Sequence, residues 1–259
     1  MHIASWSGGK DSTATIILAH EHNEPLDVIL FSEVMFDKGI SGELPKHMEF
    51  VYRCKKIFEE WGYKVEILRG KETFLDCFYH VIKKSNNPER NGMYNGFPMV
   101  RACTVQQRCK TNPIRDWEYE HYDCIYSTFY VGICANEKRR LESLNNSKYK
   151  PKPHRYESLL AKYGYTEKDC YELCKKYDML SPYYKTHKRG GCWFCPNAGD
   201  DELRELRTEH RDLWDKLLEL ETVPNTVGKI WNGLRNISIH DKEKQFAEED
   251  EKKKIEKIE

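Results

Sequence analysis

The chain carries its most chemically capable residues in three short stretches. The first is Ser7-Gly8-Gly9-Lys10-Asp11-Ser12, which lies between the apolar Ile3-Ala4-Ser5-Trp6 and Thr13-Ala14-Thr15-Ile16-Ile17-Leu18-Ala19. A glycine turn there joins a strand to an apolar helix. Without a Cβ at positions 8 and 9, backbone N–H groups can approach an anion, and the helix N-terminus adds partial positive charge. Lys10, Ser7 and Ser12 add side-chain donors. The chemistry this favours is the cradling of phosphate.

The second stretch is made of thiols. Gly190-Gly191-Cys192-Trp193-Phe194-Cys195-Pro196 lets one tight turn aim both sulfurs at one ion. Arg101-Ala102-Cys103-Thr104 and Cys109-Lys110-Thr111-Asn112-Pro113 supply Cys103 and Cys109 as partners, with Cys134 or Cys54 as substitutes for one of them. Four thiolates suit a zinc ion and a 4Fe-4S cluster alike, so both stay open. A redox dithiol ranks below them, because a thioredoxin-like βαβ context is absent around the pair. His187 is a histidine near this turn and can act as ligand or as surface.

The third stretch is Val131-Gly132-Ile133-Cys134-Ala135-Asn136-Glu137-Lys138-Arg139-Arg140, where an apolar strand ends in a glycine and then delivers a carboxylate and two guanidiniums. Ligands of open α/β sheets lie at such strand ends. Arg139 and Arg140 can hold phosphate or sulfate, and Glu137 can orient a ribose, a metal or a neighbouring arginine.

These stretches need a scaffold. Asp27–Ser32 and Lys64–Leu68 read as strands, Lys46–Trp61 as a helix, and Cys124–Ile133 as a further strand after a long excursion. The excursion from about Thr73 to Asn112 is a helix followed by a loop-rich stretch. The fold class expected is α/β, a doubly wound parallel sheet with a smaller helical, cysteine-containing C-terminal region. Residues 1–145 form the expected nucleotide-binding domain, 146–240 a helical region with the Cys-x-x-Cys turn, and 241–259 a charged tail, frayed or solvated. Within the second, Thr166 caps a helix to Tyr177, and Asp200–Glu221 reads as one amphipathic helix.

Composition narrows the function classes. Lys plus Arg and Asp plus Glu both number 42, so no global basic field announces nucleic acid. Two local stretches hint at a polyanion: Lys148-Tyr149-Lys150-Pro151-Lys152-Pro153-His154-Arg155-Tyr156 and Lys185-Thr186-His187-Lys188-Arg189. No apolar run reaches the roughly 18 residues that span a bilayer, and no secretory signal is visible, so a cytoplasmic protein without a membrane partner is expected. Ten cysteines then mean reduced thiols or metal ligation rather than a disulfide framework.

The first loop matches neither the Walker spacing nor the Gly-x-Gly-x-x-Gly fingerprint. It resembles the PP-loop of the adenine-nucleotide alpha-hydrolase superfamily, which includes N-type ATP pyrophosphatases, sulfonucleotide reductases and tRNA thiolases. Arg-x-Cys-Thr with Lys-x-x-Pro, Gly-Ile-x-Ala-x-Glu-x-x-Arg and Gly-Cys-x-x-Cys-Pro follow in the order typical of the PAPS-reductase-like family, over residues 1 to about 200. Extra residues between Cys103-Thr104 and Lys110 depart from that pattern. Glu33 stands nearest the family's acidic residue after the second strand.

The resemblance implies that ATP, as its Mg complex, sets its β- and γ-phosphates in the residue 7–12 loop while an acceptor attacks the α-phosphate. Catalytic roles fall to Lys10, Asp11, Glu137 and Arg140. Nucleotide contacts fall to Ser7, Gly8, Gly9, Lys10, Asp11, Ser12, Glu33, Gly132 and Arg139, and cluster ligation falls to Cys103, Cys109, Cys192 and Cys195. In the related thiolases sulfur then passes to the adenylated base, which implies a tRNA, DNA or small-molecule acceptor and a sulfur donor protein. A PAPS or APS reductase is the alternative within the family, but its Glu-Cys-Gly nucleophile has no counterpart after Cys195. A non-enzymatic zinc-knuckle nucleic-acid-binding protein is the alternative outside it.

Overall fold

Apolar runs that alternate with helices build a parallel sheet here, because each strand is covered on both faces and reads as an unbroken hydrophobic segment. The structure is a computed structural model that describes residues 1–99, 103–121, 127–144, 155–187 and 190–256. Its strands are β1 His2–Trp6, β2 Val28–Glu33, β3 Lys64–Arg69, β4 Tyr94–Gly96, β5 Thr128–Tyr130, β6 Arg155–Glu157 and β7 Thr226–Gly228. Two compact units emerge: Met1–Glu33, Glu43–Lys71 and Lys110–Gly190 form the first, and Val34–Gly42, Glu72–Cys109 and Gly191–Glu259 form the second. This division cuts across the boundaries at 145 and 240 expected from sequence, because contacts made late in the chain recruit short segments from early in it.

The first unit holds a five-stranded sheet in the order β3-β2-β1-β5-β6, parallel throughout. Every residue of β2 is buried. Helix α1, Lys10–Glu21, buries eight consecutive residues from Ser12 to Ala19, as expected for a helix enclosed on all sides. Helix α2, Pro45–Glu60, turns Val51, Cys54 and Phe58 into the same core as Trp6, Ile17 and Phe31. On the other face Trp117, from the helix Asn112–His121, packs with Ile3, Val28, Leu30 and Phe129. Helices on both faces make the sheet doubly wound, as the sequence led one to expect.

Of the expected strand Cys124–Ile133, 124–126 lie outside the described residues and β5 covers Thr128–Tyr130; Val131 still donates its amide to Glu157 O of β6 at 2.9 Å, and Gly132 and Ile133 lie beyond the strand. Thr166 does cap the helix Glu167–Lys176, in a capping box with Asp169.

The second unit contains the parallel pair β4–β7 and three longer helices. The expected single helix Asp200–Glu221 is two, Asp200–Glu209 and Arg211–Glu221, broken at His210 where the backbone takes φ −135° and ψ 58°. Apolar spacing runs unbroken across position 210, so periodicity is blind to the break. The turn serves tertiary contacts instead: Arg207, Arg211 and Trp214 all donate to the carboxylate of Glu243. Glu243 sits on the helix Ile239–Ile255, so the tail expected to be frayed or solvated is helical to Ile255 and largely exposed, held by its buried Ile239 and Phe246. No helix among the described residues is long and apolar enough to cross a membrane.

Candidate active site

In the strand order of the first unit, β1 has β2 on one side and β5 on the other, so the chain winds outward in opposite directions from the β1–β5 boundary. Loops leaving the C-terminal ends of two such strands diverge and open a crevice between them. The loops in question are Ser7–Gly9 and Val131–Glu137, two of the stretches singled out by their chemistry.

The first loop is built tightly. Gly8 adopts φ +71°, the left-handed region that suits glycine, and an added Cβ would come within 2.6 Å of His47 Nε2. Ser12 Oγ accepts from the Ser7 amide at 3.1 Å and donates to the Gly9 carbonyl at 3.0 Å, closing the turn on itself. Gly9 caps α1 with no side chain of its own, and the first amides of the helix are met from elsewhere, Gly9 by Ser7 Oγ at 3.4 Å and Lys10 by Tyr184 Oη. Lys10 Nζ lies 2.9 Å from Asp11 Oδ1 and 3.2 Å from Glu167 Oε2. Burial alone would lower the Lys10 pKa, but the hydrogen bond and charge of Asp11, with Glu167 behind them, outweigh it and hold the ammonium above its ordinary value.

The second loop meets the first. A Cβ on Gly132 would lie 2.9 Å from Asp11 C and Ser12 N, so only glycine lets the two backbones touch. Glu137 accepts from the Cys134 amide at 2.9 Å and pairs with Arg140, fixing the turn after β5. Burial would raise the Glu137 pKa; the hydrogen bonds from Arg140 and Cys134 and the charge of Lys10 more than offset it, so Glu137 stays ionised below its usual range. Arg139 and Arg140 are both exposed. Glu33, at the end of β2, is buried and accepts from Arg69 Nε at 2.8 Å.

Several supporting residues carried no sequence signal. His47 is 2% exposed beneath Gly8, with Nδ1 2.9 Å from Ser181 Oγ and its ring stacked on Tyr183 at 4.3 Å. Tyr184 Oη accepts from the Lys10 amide at 3.0 Å, pinning the first residue of α1. Both belong to segments remote in sequence from the loop, and only the presence of His47 in an otherwise apolar helix face hinted at a role.

The four expected ligand cysteines all fall in the second unit. The Cys192–Cys195 turn is closed by the Cys195 amide donating to the Cys192 carbonyl at 2.9 Å. Between the thiols, Trp193 donates from its indole to Ser41 O at 2.8 Å, and Phe194 packs on Phe74 at 4.2 Å. The two aromatic side chains anchor the turn, and both thiols are half-buried. Cys103 is half-buried and accepts from the Gln106 amide at 3.4 Å, while Cys109 is buried in the π-helical turn Gln106–Thr111. Such turns recur at functional sites. Burial, and then the charges of Cys195 and Cys77, hold the Cys103 pKa above the ordinary thiol value.

Cys77, which had no spacing signal, lies with its sulfur 3.8 Å from that of Cys109. The hydrogen bond between them lowers the pKa of Cys77 and, with burial, raises that of Cys109. Among the described residues these thiols form no group of three whose ligand atoms all lie within 4.8 Å of one another. Of the substitutes, Cys54 is buried in the core of the first unit and Cys134 pairs with Cys170, sulfur to sulfur at 3.8 Å. Most of the first basic stretch, 148–154, lies outside the described residues, as do Lys188 and Arg189 of the second and Arg101 and Ala102 before Cys103.

No family model matches the chain. Over 227 residues the chain is 26% identical to the uncharacterized protein MJ0066 of Methanocaldococcus jannaschii, an alignment covering 83% of this chain and 40% of that protein. It is 24% identical over 223 residues to the uncharacterized protein MJ0973 of the same organism, covering 83% of this chain and 46% of that one. Among solved structures, the U34-tRNA thiolase NcsA from Methanococcus maripaludis with its [4Fe-4S] cluster aligns with a TM-score of 0.40 and 18% identity, over 84% of this chain and 65% of that one. The chain therefore spans less than half the length of the curated relatives it matches.

Proposed function

We propose that this chain is a PP-loop enzyme of the PAPS-reductase-like type that transfers the adenylyl group of ATP to an acceptor, coupled to sulfur delivery through a cysteine-ligated iron–sulfur cluster. The observation that carries the reading is the crevice between β1 and β5, where the N-terminus of α1, a glycine turn with φ +71° and the backbone of Gly132 converge. A nucleotide's β- and γ-phosphates fit such a cradle, met by the loop amides and the hydroxyls of Ser7 and Ser12. Lys10 neutralises phosphate charge, and Asp11 orients the loop. Mg would enter with the phosphates of the nucleotide. Arg139 faces solvent beside the crevice, available to the nucleotide or an acceptor, while Glu137 holds Arg140 and the turn. Glu33 is assigned to the nucleotide's sugar or base.

In this reading an acceptor oxygen attacks the α-phosphorus, the bond to the bridging oxygen breaks, and pyrophosphate leaves. The residues lower the barrier through fixed positive charge and donors aimed where negative charge accumulates. Cys103, Cys109, Cys192 and Cys195 are assigned to the cluster, which when bound supplies the sulfur chemistry. A tRNA acceptor and a protein sulfur donor are assigned to the same reaction.

The test is nucleotide binding and turnover by protein purified without oxygen, with ATP or PAPS and with tRNA or DNA added. Acceptor-dependent pyrophosphate release, cut on the order of a hundredfold by Lys10→Ala, is expected. Preferential binding of PAPS with sulfite release would replace adenylation by sulfonucleotide reduction.

A further inference from the structure

We infer that Asp11, Cys134 and Cys170 form a second metal site, for a single divalent ion of the zinc type, within the first unit. Three separate parts of the chain supply the ligands: the start of α1, the turn after β5 and the helix Glu167–Lys176. One oxygen and two sulfurs lie within 4.8 Å of one another. Cys134 Sγ is 3.8 Å from Cys170 Sγ and 3.6 Å from Asp11 Oδ1. A tetrahedral ion with bonds of about 2.3 Å to sulfur and about 2.0 Å to oxygen has edges of about 3.8 Å and about 3.5 Å, which both distances match. Three protein ligands leave the fourth position open to water.

Charge supports the same assignment. Two thiolates, one carboxylate and a divalent ion sum to minus one, and the ammonium of Lys10, 2.9 Å from Asp11, neutralises the remainder. Both thiols are fully buried. Metal entry must expel their protons, and affinity therefore rises with pH. Cys174, one helical turn beyond Cys170, is occupied otherwise, its sulfur donating to the Lys10 carbonyl at 3.2 Å. Such an ion would tie the phosphate loop, the turn after β5 and a helix of the first unit into one rigid set. It shares no thiol with the cluster assigned to the second unit and does not depend on the loop binding ATP.

Cobalt(II) alone, added to the full chain without nucleotide, tests this. The titration is run in a Cys192→Ser/Cys195→Ser background to weaken binding by the second unit. Expected are thiolate-to-cobalt charge-transfer absorption and tetrahedral visible bands that saturate at one equivalent, with binding accompanied by proton release. Cys170→Ser should abolish them, and Asp11→Asn, which leaves both buried thiols in place, should weaken binding tenfold or more, on the order of what loss of a ligand's support costs. Cys174→Ser should leave them unchanged. Zinc should displace cobalt, and the melting temperature should rise with either ion only where Cys170 is present. Cobalt bands that survive both Cys170→Ser and Asp11→Asn, or no thiolate band in the parent background, would overturn the site.

Discussion

His47 supports the phosphate loop from below, and its burial gives the loop a pH signature. Its ring fills the space that a Cβ on Gly8 would need, with Ser181 at one nitrogen and the carboxylate of Glu43 3.9 Å from the other. Burial is the largest influence and lowers the His47 pKa; Glu43 opposes it, and Lys110 reinforces it. The folded state therefore prefers neutral imidazole, whereas the unfolded chain takes up a proton near pH 6.5. Between that value and the lower folded pKa the unfolded state binds more protons, so stability falls as pH drops. A His47→Gln variant should lose less stability than the parent between pH 7 and pH 5 in urea titrations, and identical slopes for the two proteins would contradict this. The glycines, Lys10, Asp11 and Ser12 were legible as a loop because they are contiguous. His47 and Tyr184 were not, because their relation to the loop is made by packing across segments far apart in sequence.

At the scale of elements, the C-terminal helices show local pattern and tertiary demand parting company. Glu243 accepts from Arg207 Nε at 3.1 Å, from Arg211 Nη1 at 3.1 Å and from the Trp214 indole, joining three helices at one carboxylate. Burial would raise its pKa, yet these donors keep it below the ordinary carboxylate range. Removing it strands the Trp214 indole N–H and leaves Arg207 to Asp250 and Arg211 to Asp215, so Glu243→Ala should destabilise the chain by about 1–3 kcal/mol, read from the urea midpoint at constant m. Amphipathic spacing announced helical structure over 200–221 and missed the break at His210, because a change of axis direction leaves the apolar period intact. A run of Lys and Glu suggested a frayed or solvated tail, and the two apolar residues that anchor it, Ile239 and Phe246, lie seven residues apart, two helical turns.

The whole molecule separates its two candidate chemistries into units that interleave along the chain. The nucleotide loop and its supports belong to one, and Cys77, Cys103, Cys109, Cys192 and Cys195 to the other. Anaerobically purified protein should be brown and contain iron and sulfide; Cys192→Ala with Cys195→Ala should bleach it while leaving ATP affinity intact. Colourless protein with stoichiometric zinc and no iron would instead make the second unit a structural knuckle. Sequence by itself determined the parallel α/β class, the glycine loop at the first strand–helix junction and the tight Cys192–Cys195 turn, because each is encoded by neighbours within about ten residues. Only the tertiary structure decided that β5 lies beside β1 and so opens the crevice, that Gly132 touches the loop backbone, and that Cys134 meets Cys170 and Asp11. Those relations join residues far apart in the chain, Cys134 and Asp11 by 123 positions. Strand order and side-chain packing bring such residues together, and no local periodicity records either.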